Sequence, residues 1–309
     1  MNPNAAAGSR ASSPPPVALG VGEVLWDLLP SGRQLGGAPA NFAFHAQQLG
    51  ARGVVASAVG ADILGDEIEE RLQWWGVVSS IAIDHEHPTG TVSVTLDGQG
   101  VPNYVIHHPV AWDFLHNHHF PPATTADVVC FGTLAQRSPV SRQSIQRYLR
   151  DTRPDCLRVF DINLRQHFYT EPVIRASLDV AGVLKLNEQE LPVVAEMLGL
   201  PSNEAAFTAA LFERLVGLRL IALTRGPNGS ALLTREATSQ HAGIRTTLAD
   251  TVGAGDAFTA AVAVGLLKRI PLDRINDAAN RIAAFVCSQP GATPRLPEEL
   301  ATCFPATGE

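Results

Sequence analysis

From residue 127 onward the chain alternates between short apolar runs and longer stretches of helical period. The runs lie at 127–131, 157–160, 183–186 and 220–223, and the helical stretches at 140–149, 173–180, 188–198 and 204–216. A strand apolar on both faces has to be covered on both faces, and strand–helix alternation does this with a parallel sheet between two helix layers. The pattern predicts an α/β fold with a mostly parallel central sheet. Later, 229–233 and 240–246 read as a hairpin, and 257–267 and 273–286 as long helices.

The first third of the chain follows a different rhythm. An apolar strand pattern at 17–28 precedes a helical segment at 39–49, with Pro39 suited to a first turn, and a buried strand at 53–59. A helix at 62–75 starts on Asp62 as its cap. Strands follow at 77–83 and 91–96. Asp97-Gly98 with Gly100 signals a hairpin, and 101–107 is the returning strand. The β-rich pieces at 28–36 and 89–108 do not belong to the α/β rhythm.

Composition mainly excludes. The 309 residues suffice for one large α/β domain or two smaller ones, and 45% hydrophobic content is ample for a core. A net charge of −7 and a pI near 5.8 argue against a nucleic-acid footprint. Cys130, Cys156, Cys287 and Cys303 form no C-x-x-C pair, which fits a reduced, cytoplasmic setting. No apolar run reaches the roughly 18 residues of a membrane span. Residues 1–16 lack the apolar core of a signal peptide and read as a disordered tail, leaving 17–309 as one domain. Seven of the ten histidines fall between His85 and His119, but no second ligand pair is spaced with His116, His118 and His119, so they read as surface residues.

The densest chemical signal is Asp250-Thr251-Val252-Gly253-Ala254-Gly255-Asp256, which runs into an apolar helix. A helix start presents unpaired N–H groups and a partial positive charge. Gly253, Ala254 and Gly255 carry so little bulk that an oxyanion can reach those groups. Asp256 would repel such an anion unless it served as a base toward an attacking hydroxyl. An anion cradle with a built-in base points to phosphoryl transfer to an alcohol. The bland alternative is a Gly-rich turn with Asp as a helix cap.

This heptad resembles the C-terminal signature of ribokinase-like (PfkB-type) sugar kinases. Gly36-Gly37-Ala38-Pro39-Ala40-Asn41-Phe42-Ala43, followed by Gly50 and Gly60, resembles the N-terminal signature of the same family. The resemblance runs from Val17 to Pro297. It implies that the strands at 28–36 and 89–108 form a small lid over a sugar. Asp256 would be the catalytic base, with Gly253, Ala254 and Gly255 as the anion hole. Asp27, Gly36, Gly37 and Asn41 would hold the sugar. Asp161-x-Asn163-x-Arg165 is similar to a fructokinase and 2-keto-3-deoxygluconate kinase motif, in which Arg165 would meet a phosphoryl group or a substrate carboxylate; the alternative is a loop salt bridge. Asn187-x-x-Glu190 resembles the motif that orders waters around Mg²⁺, although the same spacing makes a capping box. Thr224-x-Gly226-x-x-Gly229 resembles a nucleotide loop, and Asn280, Ala283 and Ala284 would lie near the adenine. Asp250 would be near a monovalent cation, with potassium left open because Arg295 stands where some relatives carry Ser. Trp112 and Asp113 could border the sugar; Trp74 and Trp75 read as packing at a helix end.

The expectation is an ATP- and Mg²⁺-dependent sugar kinase, cytoplasmic and homodimeric, acting on fructose. The G-E-V-L-W-D start, G-G-A-P-A-N and D-x-N-x-R together resemble fructokinases more than ribokinases. Rival readings are a 2-keto-3-deoxygluconate kinase, more remotely a nucleoside kinase, and a non-catalytic sugar-binding protein on the same fold. A Rossmann dehydrogenase is disfavoured because the first strand is not followed by G-x-G-x-x-G.

Overall fold

The computed structural model describes residues 14–29, 32–96 and 102–304, and among the described residues there are thirteen strands and nine α-helices. In chain order the strands are β1 (Val17–Val21), β2 (Leu25–Leu29), β3 (Gly32–Gly36), β4 (Arg52–Gly60), β5 (Val78–Asp84), β6 (Gly90–Leu96), β7 (Pro102–Ile106), β8 (Val128–Phe131), β9 (Leu157–Asp161), β10 (Val183–Asn187), β11 (Leu220–Thr224), β12 (Ser230–Leu233) and β13 (Thr238–His241). The helices are α1 (Ala38–Gln48), α2 (Ile63–Trp75), α3 (Pro139–Asp151), α4 (Glu171–Val180), α5 (Glu190–Leu198), α6 (Glu204–Arg214), α7 (Ala254–Leu267), α8 (Leu272–Cys287) and α9 (Glu298–Ala301).

The expected sheet is present. Its order is β13-β12-β11-β10-β9-β8-β1-β4-β5, parallel from β11 through β5, with β12 and β13 added antiparallel. Strand β8 shows why both faces are apolar. Val129 and Phe131 join a cluster that includes Ile145 of α3, Ile174 of α4, Val194 of α5 and Phe207 of α6. Val128 and Cys130 point the other way, toward Phe42 of α1, Ala261 of α7 and Ile282 of α8. Successive side chains of a strand alternate between faces, so each strand supplies two cores.

Helix α7 is apolar around its circumference, with Ala257, Ala260, Ala261 and Ala263 essentially inaccessible. A helix with that pattern is enclosed on all sides, and its small residues let the sheet, α1 and α8 approach together. Approach of α1 to the sheet is closer still. A Cβ on Gly20 of β1 would lie 2.0 Å from the Pro39 carbonyl oxygen, so no other residue fits there.

The small second sheet has the order β3-β2-β6-β7. Here the expected opening strand at 17–28 is corrected. It is two strands in two sheets, because the chain leaves the central sheet at Gly22, whose φ is 145°. The break is fixed by bonds from Ser57 Oγ to the Gly22 carbonyl (2.6 Å) and from Gly22 N to the Ala56 carbonyl (3.1 Å). Asp27 therefore sits mid-strand on β2, not at the end of the first strand. The expected late strand at 240–246 is β13, which ends at His241, and the helix expected from 188 starts at Glu190. Asp62 caps α2 as expected, accepting Gly65 N at 2.9 Å. Trp75 is buried, whereas Trp74 is exposed, with the Arg295 and Arg71 guanidinium groups over its ring. The Asp97-Gly98 and Gly100 hairpin signal lies outside the described residues, as do residues 1–13 of the tail.

Candidate active site

Helix α7 begins on Gly253, which has a left-handed φ of 79°; a Cβ there would lie 2.4 Å from the Ala292 carbonyl oxygen. Only glycine satisfies both conditions. The first-turn N–H groups have no acceptor inside the helix; that of Ala254 reaches the Thr251 carbonyl only at 3.5 Å. Gly255 follows, and Asp256 lies inside the first turn rather than before the helix. Asn41 Nδ2 of α1 donates to Asp256 Oδ2 at 2.8 Å. The two signatures, 215 positions apart, thus meet in one hydrogen bond. Asn41 is buried, and its own Oδ1 has no partner among the described residues.

The carboxyl ends of β9 and β10 face the same turn, where ligands of open α/β sheets gather. Asp161 Oδ1 accepts Lys185 Nζ at 3.0 Å, and Asp161 Oδ2 accepts Thr259 Oγ1 of α7 at 2.8 Å. Asn187 and Glu190 form the capping box in full. Asn187 Oδ1 accepts the N–H groups of Gln189 and Glu190, both at 2.9 Å, and Glu190 Oε2 accepts Asn187 N at 2.8 Å. Glu190 Oε1 reaches further, accepting Leu164 N at 2.9 Å, and so anchors the loop that carries Arg165.

Toward the small sheet, Asp27 on β2 stands opposite Gln34 of β3 and Val92 of β6. A Cβ on Gly36 would lie 2.6 Å from Asp27 Oδ2, and one on Gly37 would lie 2.5 Å from the Glu23 carbonyl oxygen. The glycine pair therefore makes room for a carboxylate and for the β1–β2 connection. Arg165 is exposed. Its one hydrogen bond among the described residues runs from Nη1 to the neighbouring Leu164 carbonyl at 3.4 Å. Among the described residues the salt bridge of the alternative reading is not formed. Its guanidinium still acts electrostatically on Glu23, Asp27 and Asp256.

Burial pushes the Asp256 carboxyl up to about 6, and the Asp161 charge pushes the same way; the Asn41 bond, Lys185 and Arg165 oppose them. Asp27 is raised to about 6, again chiefly by burial, with Arg165 opposing. Glu23, 3% exposed with Oε2 unpartnered among the described residues, is raised to about 7 by burial, against the pull of backbone N–H groups and Arg165. Glu23, Lys185 and Thr259 are site residues for which the sequence reading had no role. A visible signal existed for Lys185, a charge inside the apolar run Leu184-Lys185-Leu186.

The expected nucleotide residues lie at the end of β11 and beyond. Gly226 (φ 53°) and Gly229 (φ 83°) both need the left-handed region, and a Cβ on Gly229 would lie 1.9 Å from the His241 carbonyl oxygen. Thr224 ends β11, where its carbonyl accepts Glu188 N at 2.9 Å. Asn280 is turned inward. Its Nδ2 donates to Ser230 Oγ at 2.7 Å and to the Asn276 carbonyl at 2.8 Å, in a buried polar network that ties α8 to β12. Asp250 accepts Val252 N at 3.0 Å and Gly291 N at 3.3 Å. Trp112 and Asp113 lie in the interior instead of lining a pocket. Arg137 binds both Asp113 oxygens at 2.9 Å and lies 4.0 Å over the Trp112 ring.

The Glu23 carboxyl generates a stability prediction. Between its ordinary value of 4.5 and its folded value of about 7, the native chain binds more protons than the unfolded one, so this contribution to stability is lost as pH rises. Glu23→Gln should raise unfolding stability at pH 8 by at most about 3 kcal/mol and change it little near pH 4.5. Urea denaturation at the two pH values checks this; an equal effect at both would contradict it.

The pfkB family carbohydrate kinase profile matches residues 32–299. A Pyrococcus horikoshii sugar kinase is 31% identical over 278 residues, covering 86% of this chain and 85% of that protein. Its structure in complex with ATP superposes with a TM-score of 0.78 over 90% of this chain and 94% of that chain. A Salmonella typhimurium fructokinase is 31% identical over 80% of this chain and 83% of its own length. A double-mutant Vibrio cholerae fructokinase, solved with fructose, ADP and potassium ion, is 25% identical with a TM-score of 0.79 over 96% of this chain and 99% of that chain. The chain belongs to the pfkB family of carbohydrate kinases and is a sugar phosphotransferase.

Proposed function

We propose that the enzyme transfers the γ-phosphoryl group of Mg-ATP to a hydroxyl of fructose. The observation that carries this reading is the Asn41–Asp256 bond at the start of α7, which joins a sugar-side residue to a base inside an anion hole. With its carboxyl near 6, Asp256 is ionised at neutral pH and accepts the proton of the attacking hydroxyl. The new bond joins the sugar oxygen to the γ-phosphorus, the bond to the β,γ-bridging oxygen breaks, and ADP leaves. First-turn N–H groups at Gly253, Ala254 and Gly255 stabilise the charge on the equatorial oxygens.

Asp27 and Asn41 would bind sugar hydroxyls, with Gly36 and Gly37 admitting the ring. The small sheet would act as the lid that excludes water. Thr224, Gly226 and Gly229 would face the nucleotide, with Asn280 supporting that wall through its buried network. Fructokinase relatives support the acceptor assignment.

The donor set at Glu190 fits Mg²⁺ held through water. Each of its oxygens takes one backbone N–H and keeps a lone pair free, whereas Asn187 Oδ1 already carries two N–H groups. When bound, Mg²⁺ would neutralise charge on the β- and γ-phosphates. Asp250 is the residue for a monovalent cation; the potassium in the Vibrio fructokinase structure supports it, and comparing rates in potassium and sodium salts tests it.

Asp256→Asn should retain ATP binding and lose about 10²-fold or more in kcat; near-parental turnover in a folded variant would refute the base assignment. In the parent, kcat/KM should fall below about pH 6 as Asp256 protonates. Glu190→Gln should raise the Mg²⁺ concentration needed for half-maximal rate. A change in thermal stability alone would leave Glu190 as a cap. A panel of fructose, ribose, adenosine, fructose 6-phosphate and 2-keto-3-deoxygluconate, read by ADP release, should show the highest kcat/KM for fructose. Preference for the carboxylated sugar would assign exposed Arg165 to its anion instead.

A further inference from the structure

Strand β9 ends on a carboxylate that the mechanism above leaves without a task. Asp161 is 3% exposed and bonded on both oxygens, to Lys185 Nζ of β10 at 3.0 Å and to Thr259 Oγ1 of α7 at 2.8 Å. The Thr259 hydroxyl also lies 2.9 Å from the Gly255 carbonyl oxygen. Lys185 Nζ lies 3.2 Å from where a Cβ on Gly255 would stand. The Asp161 carboxylate therefore engages α7 directly at Thr259, one turn beyond Gly255, while its partner Lys185 lies beside Gly255, the residue before Asp256. A buried ion pair is a poor stabiliser compared with apolar side chains of similar volume, so stability alone does not account for this placement.

We infer that Asp161 is a positioning residue for phosphoryl transfer: through Thr259 and Lys185 it fixes the first turn of α7, and with it the anion-facing N–H groups and the Asp256 carboxylate. The inference rests on the kinase reading above. Charge supports it independently of geometry. The groups acting on Asp256 are Asp161 on β9, the Asn41 amide on α1, Lys185 on β10 and Arg165 after β9; Glu23 between β1 and β2 and the Cys130 thiol on β8, which burial keeps protonated, feel the Asp256 charge in turn. After burial, Asp161 is the strongest influence raising the Asp256 carboxyl, so it keeps the base stronger than Lys185 and Arg165 alone would leave it.

The test uses the full chain and the variants Asp161→Asn, Thr259→Val and Thr259→Ser. Asp161→Asn keeps the shape and removes the charge. The Asp256 titration midpoint, followed by carbon-13 NMR of labelled aspartate, should fall by roughly one pH unit. Thr259→Val breaks the tie to α7 without changing charge. It should lower kcat by about 10-fold or more with acceptor KM little changed, leave the Asp256 midpoint in place, and be rescued by Thr259→Ser. An unmoved midpoint in Asp161→Asn, or parental kcat in Thr259→Val, overturns the inference and reduces the triad to a core ion pair. If Asp161→Asn does not fold, the Thr259 pair decides alone. A parent with no transferase activity on any sugar defeats the kinase reading instead. The Asp256 midpoint and the first-turn amide shifts in Thr259→Val then judge the positioning by themselves.

Discussion

Negative charge at the start of α7 is the constraint around which the site is built. Glu23, Asp27, Asp161, Glu190 and Asp256 converge on a region whose nearby cations are Arg165 and Lys185. Such a surplus is tolerable in three ways, and each is used. Glu190 is stabilised by backbone N–H groups on both oxygens. Asp161 is paired with Lys185. Glu23, raised to about 7, is partly protonated near neutrality, while Asp27 and Asp256, raised to about 6, take up their protons just below it. The helix N-terminus then offers its N–H groups to an incoming anion instead of having them satisfied by the protein's own carboxylates.

That arrangement depends on how tightly the central layers pack. Asn41 reaches Asp256 because α1 lies directly on β1, where Gly20 leaves no space for a side chain, and because α7 shows mostly alanine to its neighbours. His45, one turn further along α1, is buried, bonds Ala292 O at 2.9 Å, and has its ring pushed down to about 4 by burial. It is thus neutral near pH 7 and joins α1 to the Ala292 carbonyl that packs against Gly253. Asp256, its hydrogen-bond donor Asn41 and the Gly253 turn are thus parts of one packed assembly.

Much of this was legible in the sequence because periodicity reports burial. The parallel sheet was visible in its short apolar runs, and both glycine signatures mark positions where a side chain would collide with backbone or carboxylate. Less legible was anything set by tertiary contact. The break at Gly22 was hidden because β1 and β2 are both apolar, and alternation cannot tell which sheet a strand enters. Glu23 falls inside the single strand pattern read at 17–28 and carries no signal of its own; its burial is set by the fold, which brings Ala38 of α1 beside it. Trp112 and Asp113 resembled pocket residues, but Arg137 lies 24 positions away from Asp113 and only the fold brings it over the indole. Asn280 looked like a nucleotide-side residue, and its amide is engaged by Ser230 from a strand 50 positions earlier.

Arg165 shows how the same chain links its two sheets. The loop after β9 holds Asn163 at φ 48° and Gln166 at φ 49°, left-handed conformations that Asn tolerates and Gln adopts at some cost. Glu190 fixes the start of this loop through Leu164 N, and Gln166 Nε2 donates to the Tyr104 carbonyl of β7 in the small sheet at 2.5 Å. The guanidinium between those two anchors has no carboxylate partner among the described residues, while its field reaches Glu23, Asp27 and Asp256. An arginine held this way keeps its guanidinium open to solvent. A displacement of the small sheet would pull on Gln166, and so on the segment that carries Arg165, one residue from the Glu190 anchor at Leu164. The small sheet and the position of Arg165 are therefore coupled through a few residues of backbone.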